Sequence, residues 1–253
     1  MERVLLVVSS CARMTPPAGQ SAQAAGESAG PADGSGSQPG AVTGAWMEEL
    51  AASYYAFADA GCEVLIASPR GGEGPIDPLS LQLPWLTDTG RRFQADAQAR
   101  EKLSDTISLA EVRAADFDAL YLVGGAAAAW DFPCDDHLAR VIQDLASAHR
   151  PVAAVCHGVL GLTKARDTQG NAIVANRAVT GISNAEEIMT GFDKLVPLLP
   201  EERLKELGAR YSCAEPFAAK VVSDGNLFTG QNPASAAPLA LAVIASLRNG
   251  RSA

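Results

Sequence analysis

The stretch Pro151-Val-Ala-Ala-Val-Cys-His-Gly-Val-Leu160 decides the fold class of this chain. Its apolar residues Val152–Val155 predict a short strand that is buried on both faces, as strands of parallel sheets are. This strand runs directly into Cys156, and Gly158 follows two residues later, just before a helical pattern. The order predicts a strand–turn–helix elbow, which presents the Cys156 side chain at the edge of a sheet.

Segments on both sides of this elbow alternate between strand and helix patterns. Further strands are predicted at Val4–Ser9, Glu63–Ser68 and Ala119–Val123, and a hairpin at Ala172–Val179. The helical patterns cover Thr43–Ala60, Arg91–Leu103, Asp135–His149 and Ser235–Leu247. Such alternation is typical of βαβ units around a mostly parallel sheet, in which ligands bind beyond the carboxyl ends of the strands. We therefore predict an α/β protein with its site at that edge.

One segment interrupts the alternation. From about residue 14 to residue 42 the chain is rich in Ala, Gly, Ser and Pro and shows no periodicity. This composition buries too little apolar surface to order itself easily, so we expect a flexible loop, or a lid on the site, between the first strand and the first helix. No internal repeat is visible, and we predict a single domain over residues 1–253.

Composition argues against several classes of function. The net charge of −9, with no basic cluster, disfavours a nucleic-acid partner. No apolar run approaches the ~18 residues of a membrane span, and the first residues lack the cationic start of a signal peptide. The five cysteines are widely spaced without a CxxC pair, which favours free thiols in a reducing compartment over disulfides or a thiolate zinc site. We expect a cytoplasmic protein that binds neither nucleic acid nor membranes.

The elbow also predicts how Cys156 is activated. A thiol at a helix N-terminus has a lowered pKa, so we expect a thiolate near neutral pH. The backbone N–H of His157 would face an oxyanion formed beside Cys156, and the Gly124-Gly125 turn on the neighbouring strand can supply a second donor. The other two histidines, His137 and His149, fall in a predicted surface helix, where we expect them to be solvated.

A Cys–His pair usually needs a third group to orient the imidazole. Spacing alone does not choose among the candidate carboxylates, which are Glu48, Glu49, Asp131, Glu186 and Glu187.

Several motifs occur together in one order. They are Thr43-Gly-Ala-Trp-Met-Glu-Glu-Leu50, Ala67-Ser-Pro-Arg-Gly-Gly72, Pro75-Ile-Asp-Pro78, Tyr121-Leu-Val-Gly-Gly125, Ala153-Ala-Val-Cys-His-Gly158, Thr180-Gly-Ile-Ser-Asn-Ala-Glu-Glu187 and Thr229-Gly-Gln-Asn-Pro-Ala-Ser235. With them the chain resembles the ThiJ/PfpI superfamily, of the class I glutamine-amidotransferase-like fold, and within it the branch of stress chaperones and glutathione-independent glyoxalases (glyoxalase III). The resemblance implies a three-layer α/β/α sandwich of the flavodoxin-like kind, with a nucleophile elbow.

The resemblance also implies roles for individual residues. Cys156 matches the nucleophile and His157 its base partner, while Glu187 falls where this branch has the triad carboxylate. Glu49 matches the acidic residue that contacts the nucleophilic sulfur, and Gly125 and His157 would supply the oxyanion-hole N–H groups. Glu48 and Glu186 are then expected to be solvated helix positions. Neither a metal nor an organic cofactor is implied, and by analogy the protein would form a homodimer.

The leading hypothesis for function is glyoxalase III-type conversion of a small 2-oxoaldehyde, such as methylglyoxal, to a 2-hydroxy acid. One alternative is hydrolysis or hydration of an amide, nitrile, isonitrile or specialised metabolite by the same cysteine; another is a stress chaperone or redox sensor. Where the branch usually reads Gly-Gly-His-Gly, this chain reads Gly124-Gly-Ala-Ala-Ala-Ala-Trp130. The change makes a polar pocket wall apolar at Ala126–Ala129 and would suit a bulkier, less polar substrate.

Overall fold

A central sheet organises the chain, for which a computed structural model describes residues 1–15 and 40–249. Within these ranges the sheet has seven strands, which are β1 (Arg3–Val7), β2 (Glu63–Ser68), β3 (Ile107–Ser108), β4 (Ala119–Leu122), β5 (Val152–Val155), β8 (Val221–Asp224) and β9 (Leu227–Gly230). Their order across the sheet is β3-β2-β1-β4-β5-β9-β8, and only the β8–β9 pair is antiparallel. Two further strands, β6 (Ala178–Val179) and β7 (Arg210–Tyr211), form a separate parallel pair.

Helices cover both faces of this sheet. They are α1 (Met47–Asp59), α2 (Asp88–Ala95), α3 (Ala97–Ser104), α4 (Ala128–Asp131), α5 (Asp136–Ser147), α6 (Asn184–Thr190), α7 (Pro200–Glu206) and α8 (Ala236–Asn249). Val4 and Leu6 of β1 pack in one apolar core with α1 and α8, while Leu5 and Val7 pack in a second core with α5. Because successive side chains of a strand point to opposite faces, each strand contributes to both cores. The predicted three-layer α/β/α sandwich is confirmed.

The strand order places the candidate site at the centre of the sheet. From β1 the chain proceeds outward through β2 and β3, and then crosses to β4 and β5 on the other side of β1. Such a reversal opens a crevice beyond the carboxyl ends of the strands, where ligands bind in α/β proteins. The loops after β1, β4 and β5 meet there, and they carry Ser9, the Gly124-Gly125 turn and Cys156.

Two predicted elements differ in the structure. The hairpin predicted at Ala172–Val179 is wrong, because Ala178 and Val179 pair in parallel with Arg210 and Tyr211, a contact between distant parts of the chain. The single helix predicted at Arg91–Leu103 is two helices. Asp96 separates them, since its side chain accepts hydrogen bonds from the backbone N–H groups at the start of α3 and so caps that helix.

The expected flexible segment at about 14–42 is described only at its ends, since residues 16–39 lie outside the described part of the chain. Arg13 and Val42 form an antiparallel bridge, and the Met14 N–H donates to the Ala41 carbonyl at 3.0 Å. Met14 is buried. The two ends are therefore ordered and paired, which corrects the outer limits of the predicted loop. In the described ranges, no helix has the length and apolar character needed to cross a membrane.

Candidate active site

The elbow adopts the backbone that its sequence predicts. Cys156 follows β5 directly and has φ of 56°, in the left-handed region that non-glycine residues rarely occupy. A short 3-10 helix, Cys156–Thr163, begins at the same residue. A Cβ on Gly158 would lie 2.6 Å from the Leu122 carbonyl oxygen, so only glycine fits between the elbow and β4.

Cys156, His157 and Glu187 contact one another in succession. Cys156 Sγ is 3.4 Å from His157 Nδ1, and His157 Nε2 is 2.5 Å from Glu187 Oε1, a contact that becomes an ion pair when His157 is protonated. All three side chains are buried. Burial by itself lowers the pKa of His157, but the Glu187 carboxylate outweighs it, so the pKa is raised above its usual range. The imidazole is therefore a stronger base than a free histidine.

Glu49 approaches the sulfur from the other side. It lies in the first turn of α1, where its Oε2 accepts a hydrogen bond from the Gly124 N–H at 2.9 Å and its carboxyl group interacts with the Cys156 thiol. Burial raises the pKa of Glu49 to about 8, so this carboxyl group is mostly protonated at neutral pH. Its Oε1 is buried, lacks a hydrogen-bond partner among the described residues, and belongs to a group that lines the pocket.

The expectation that the Cys156 thiol has a lowered pKa is wrong. Burial, followed by the charge of Glu49, raises the pKa of Cys156 well above its usual range, although the His157 backbone N–H opposes the shift. Desolvation in a closed pocket with carboxylates nearby outweighs the helix terminus on which the sequence argument relied. Formation of the Cys156 thiolate therefore needs a specific proton acceptor, and His157 Nδ1 is the ring nitrogen in contact with the sulfur.

Both expected oxyanion-hole residues line the same pocket as Cys156. Gly125 has φ of 103°, and a Cβ there would lie 2.4 Å from the Gly44 carbonyl oxygen, so the turn requires glycine. The hydrogen bonds of the described residues leave the Gly125 N–H unused. Gly125 and His157 therefore follow two adjacent strands, β4 and β5, and line one pocket with Cys156.

The pocket is small and largely apolar, with a volume of about 70 Å³. Its apolar lining consists of Trp46, Leu79, Trp85, Ala126, Ile182, Phe192, Phe217 and Pro233. The rings of Trp46 and Trp85 meet edge to face at 5.7 Å, and those of Trp85 and Phe217 are 6.4 Å apart. Among the described residues, no Lys or Arg lines it. The pocket is therefore suited to a small, uncharged ligand.

The sequence argument missed this aromatic wall of Trp46, Trp85 and Phe217, because its members come from three separate segments without a common pattern. Of the four alanines expected to form an apolar wall, Ala126 lines the pocket, whereas Ala128 and Ala129 pack into the interior. Asn232, which also lines the pocket, stands in the Thr229–Ser235 motif, and that motif was the available signal for it.

The other candidate carboxylates have structural contacts. Glu48 is half-buried and accepts a hydrogen bond from Thr87. Asp131 accepts hydrogen bonds from the Ser9 hydroxyl at 2.9 Å and the Ser10 N–H at 2.7 Å. Glu186 was expected to be solvated, and this is wrong, since it is fully buried. Its burial is possible because five hydrogen bonds satisfy its carboxyl group.

Of the remaining histidines, His137 and His149 are exposed, as expected. Within the described part of the chain, no group of three or more His, Cys, Asp or Glu side chains is arranged to hold a metal ion.

Comparison with known proteins shows which family the chain is similar to. The DJ-1/PfpI family model matches residues 42–246. Glutamine amidotransferase-like class 1 domain-containing protein 1 of Bos taurus is 31% identical over 186 residues, which cover 73% of this chain and 80% of the relative. Glutathione-independent glyoxalase HSP31 of Saccharomyces cerevisiae is 29% identical over 220 residues, covering 83% and 92%.

Solved structures extend the similarity to the whole fold. The Francisella tularensis Rapid Encystment Protein 24 kDa aligns with a TM-score of 0.84 and 32% identity, covering 98% of this chain and 99% of that protein. Glyoxalase III of Candida albicans aligns with a TM-score of 0.81 and 22% identity, covering 97% of each chain. At that identity the second alignment bears on the fold alone.

Proposed function

The chain belongs to the DJ-1/PfpI family, and from that membership we propose that it is a glutathione-independent glyoxalase of the glyoxalase III type. It converts a small 2-oxoaldehyde into a 2-hydroxy acid. The observation that carries this proposal is a buried Cys156–His157 pair, flanked by Glu187 and by a Glu49 oxygen without a hydrogen-bond partner among the described residues, in a small, largely apolar pocket. The glyoxalase name of the yeast relative supports it.

The first step is addition of Cys156 Sγ to the aldehyde carbon. The thiol proton passes to His157 Nδ1, 3.4 Å away, and the imidazolium that forms is stabilised by Glu187 at 2.5 Å. The aldehyde oxygen becomes an oxyanion that the N–H groups of Gly125 and His157 would stabilise, and it then takes the proton from His157. The product of this step is a hemithioacetal.

The second step moves a proton from C1 to C2 of the bound substrate. Both ring nitrogens of His157 are engaged with neighbours, so we assign this transfer to Glu49 Oε1, which has no hydrogen-bond partner among the described residues. Glu49 must first lose its own proton to solvent, which its pKa of about 8 allows in part of the molecules at neutral pH and in most above pH 8. The resulting carboxylate is a stronger base than an ordinary one. Removal of the C1 proton gives an enediolate. Return of that proton to C2, together with transfer of the C1 hydroxyl proton to the C2 oxygen, gives a 2-hydroxy thioester.

Hydrolysis completes the cycle. Water adds to the thioester carbon, the C–S bond breaks, and the Cys156 sulfur takes a proton as the 2-hydroxy acid leaves. The overall reaction adds one water, oxidises C1 from aldehyde to acid and reduces C2 from ketone to alcohol by the same two electrons, so no external oxidant or reductant is needed. The absence of Lys and Arg among the described lining residues also disfavours substrates with a carboxylate, such as an amino-acid amide.

Three further proposals concern the setting of the enzyme. Residues 1–253 form one domain, in which the family model covers residues 42–246. The protein is a homodimer by analogy with its family, and it works in the cytoplasm, where its five cysteines stay reduced.

Turnover of methylglyoxal without glutathione or added metal tests the proposed function. We expect the wild-type protein to consume methylglyoxal and form lactate. Cys156→Ser and Glu49→Gln should each abolish the reaction, and Glu187→Gln should lower kcat by about 10²-fold or more, because general acid–base groups contribute on that order.

Each of these variants should keep its far-ultraviolet circular dichroism spectrum, which separates lost chemistry from lost folding. If the folded wild type leaves methylglyoxal and other 2-oxoaldehydes unchanged, the glyoxalase proposal is wrong. Turnover that survives Cys156→Ser would equally exclude the thiol mechanism.

A further inference from the structure

Glu186 has a buried carboxylate for which the reaction above gives no role. Its Oε2 accepts hydrogen bonds from the Ser183 N–H at 3.0 Å, the Ser183 hydroxyl at 2.8 Å and Gln231 Nε2 at 2.9 Å. Its Oε1 accepts from the Phe217 N–H and from Asn232 Nδ2, both at 2.8 Å. Among the described residues no cation pairs with it. Five uncharged donors thus satisfy one buried carboxyl group. Loss of any of these hydrogen bonds would leave a buried polar oxygen unsatisfied, so the donors are held in place.

These donors join three segments that are distant along the chain. Ser183 precedes α6, Gln231 and Asn232 follow β9, and Phe217 lies in the loop of residues 212–220 between β7 and β8.

The side-chain amides of Gln231 and Asn232 bind not only Glu186 but also this loop. Gln231 Oε1 accepts from the Ala214 N–H at 2.7 Å, and Asn232 Nδ2 also donates to the Ala218 carbonyl at 2.8 Å. Glu186 therefore fixes the loop directly, through Phe217, and indirectly, by orienting Gln231 and Asn232.

Phe217 needs such an anchor. Its φ of 64° lies in the left-handed region, which is disfavoured for a bulky residue. Its ring is still 40% exposed and stands 6.4 Å from Trp85, whose ring in turn meets Trp46. All three aromatic residues line the pocket. Phe217 is thus the outer part of an aromatic wall, held in an unfavourable backbone conformation by a hydrogen bond to Glu186.

We propose that Glu186 is a positioning residue that holds Phe217 against Trp85 and thereby gives the pocket its preference for 2-oxoaldehydes with an apolar, aromatic substituent. The proposal rests on the proposed glyoxalase function. The aldehyde would react at Cys156 while its substituent lies along Trp85 and Phe217, where aromatic contacts add to burial. Glu186 touches none of the reacting atoms; it acts through the loop that it anchors.

The test compares kcat/KM for phenylglyoxal and methylglyoxal in the wild type, Phe217→Ala and Glu186→Gln. The ratio of the two values is the readout, because a loss of folded protein lowers both values equally and cancels. We expect both variants to lower the phenylglyoxal-to-methylglyoxal ratio by about tenfold, the order of one lost aromatic contact with its burial. Glu206→Gln is the matched control, since Glu206 is exposed on α7 and pairs with Arg203; its ratio should equal that of the wild type.

Two results would overturn the proposal. An unchanged ratio in Glu186→Gln, with a lowered ratio in Phe217→Ala, would show that Glu186 does not position the wall. An unchanged ratio in Phe217→Ala would show that the wall does not select substrates. If Glu186→Gln fails to fold, Glu186→Asp replaces it: this variant keeps the charge but is one methylene shorter, so it should lower the ratio in the same direction, and an unchanged ratio would count against the proposal.

A second measurement separates this proposal from the proposed function. The rates at which iodoacetamide and phenacyl bromide alkylate Cys156 are followed by mass spectrometry of the peptide that contains it. Both reagents react with the thiol without turnover, and phenacyl bromide carries the phenyl group. Should the wild type turn over neither aldehyde, the glyoxalase function fails, yet the ratio of the two alkylation rates still decides whether Glu186 and Phe217 act together.

Discussion

Proton positions in the site follow from the burial of a few side chains. Burial raises the pKa of Glu49 to about 8, and the Glu187 carboxylate raises that of His157 in spite of burial. Burial and the nearby charge of Glu49 raise the pKa of Cys156 as well. In the resting site the thiol and Glu49 therefore tend to keep their protons, and the imidazole is the group ready to accept one.

The raised pKa of Glu49 predicts that its contribution to the free energy of unfolding falls as the pH rises. In the unfolded chain Glu49 loses its proton near its ordinary pKa of 4.5, whereas the native protein keeps it until about pH 8. Between these values the native state binds one more proton, so stability falls with increasing pH by about 1.4 kcal/mol per pH unit. Glu49→Gln removes this loss. Its gain in the free energy of unfolding should grow steadily from pH 5 to pH 8 in urea titrations.

Glu206→Gln is the control for that experiment, because Glu206 lies on the surface and pairs with Arg203. Its difference from the wild type should stay nearly constant over the same pH range. A Glu49→Gln variant whose stability gain is equal at pH 5 and pH 8 would show that Glu49 has an ordinary pKa in the native protein.

The strand ends and the first helix meet at Gly124, where β4 gives way to the turn beside the site. A Cβ on this residue would lie 2.5 Å from Glu49 Oε2, 2.7 Å from the Val155 carbonyl oxygen and 2.9 Å from Cys156 Cβ. The missing side chain at Gly124 therefore leaves the room that Glu49 of α1 and Cys156 after β5 need to approach each other.

Gly124→Ala should consequently separate these elements. We expect it to lower kcat by up to about 100-fold, the effect of displacing a catalytic group by roughly 1 Å, and to cost on the order of 1–3 kcal/mol of stability by overpacking. Steady-state kinetics and thermal unfolding measure the two effects.

Gly170→Ala is the matched control. A Cβ on Gly170 meets open space, although its φ of 86° strains any other residue. It should lose about 1 kcal/mol of stability and keep wild-type kcat. Wild-type turnover in Gly124→Ala would show that the site tolerates a side chain between Glu49 and Cys156.

The proposed homodimer would need an apolar contact surface, and α6 offers a candidate for one. Ile188 and Met189 are exposed side by side on α6, 66% and 63% exposed, and apolar surface of this kind often marks a contact with another chain. We expect size-exclusion chromatography with light scattering to give twice the monomer mass at micromolar concentrations. A monomer mass over that range would contradict the proposed homodimer.

Much of this protein was determined by local features of its sequence. The elbow from Val152 to Gly158, the alternation of strands and helices and the order of the motifs were enough to predict the sandwich, the family and a cysteine at the sheet edge. These features depend on neighbouring residues, since buried strands, tight turns and helix patterns are set by short-range sterics and periodicity.

Tertiary structure alone decided which distant groups meet. Residue types and spacing left five carboxylates open, and packing brought Glu187 to His157, Glu49 to the sulfur and Glu186 to the loop of Phe217. The raised pKa of Cys156 and the aromatic wall likewise arise from burial among segments far apart in the chain. Desolvation and contact depend on all the surrounding elements at once, so no local pattern encodes them.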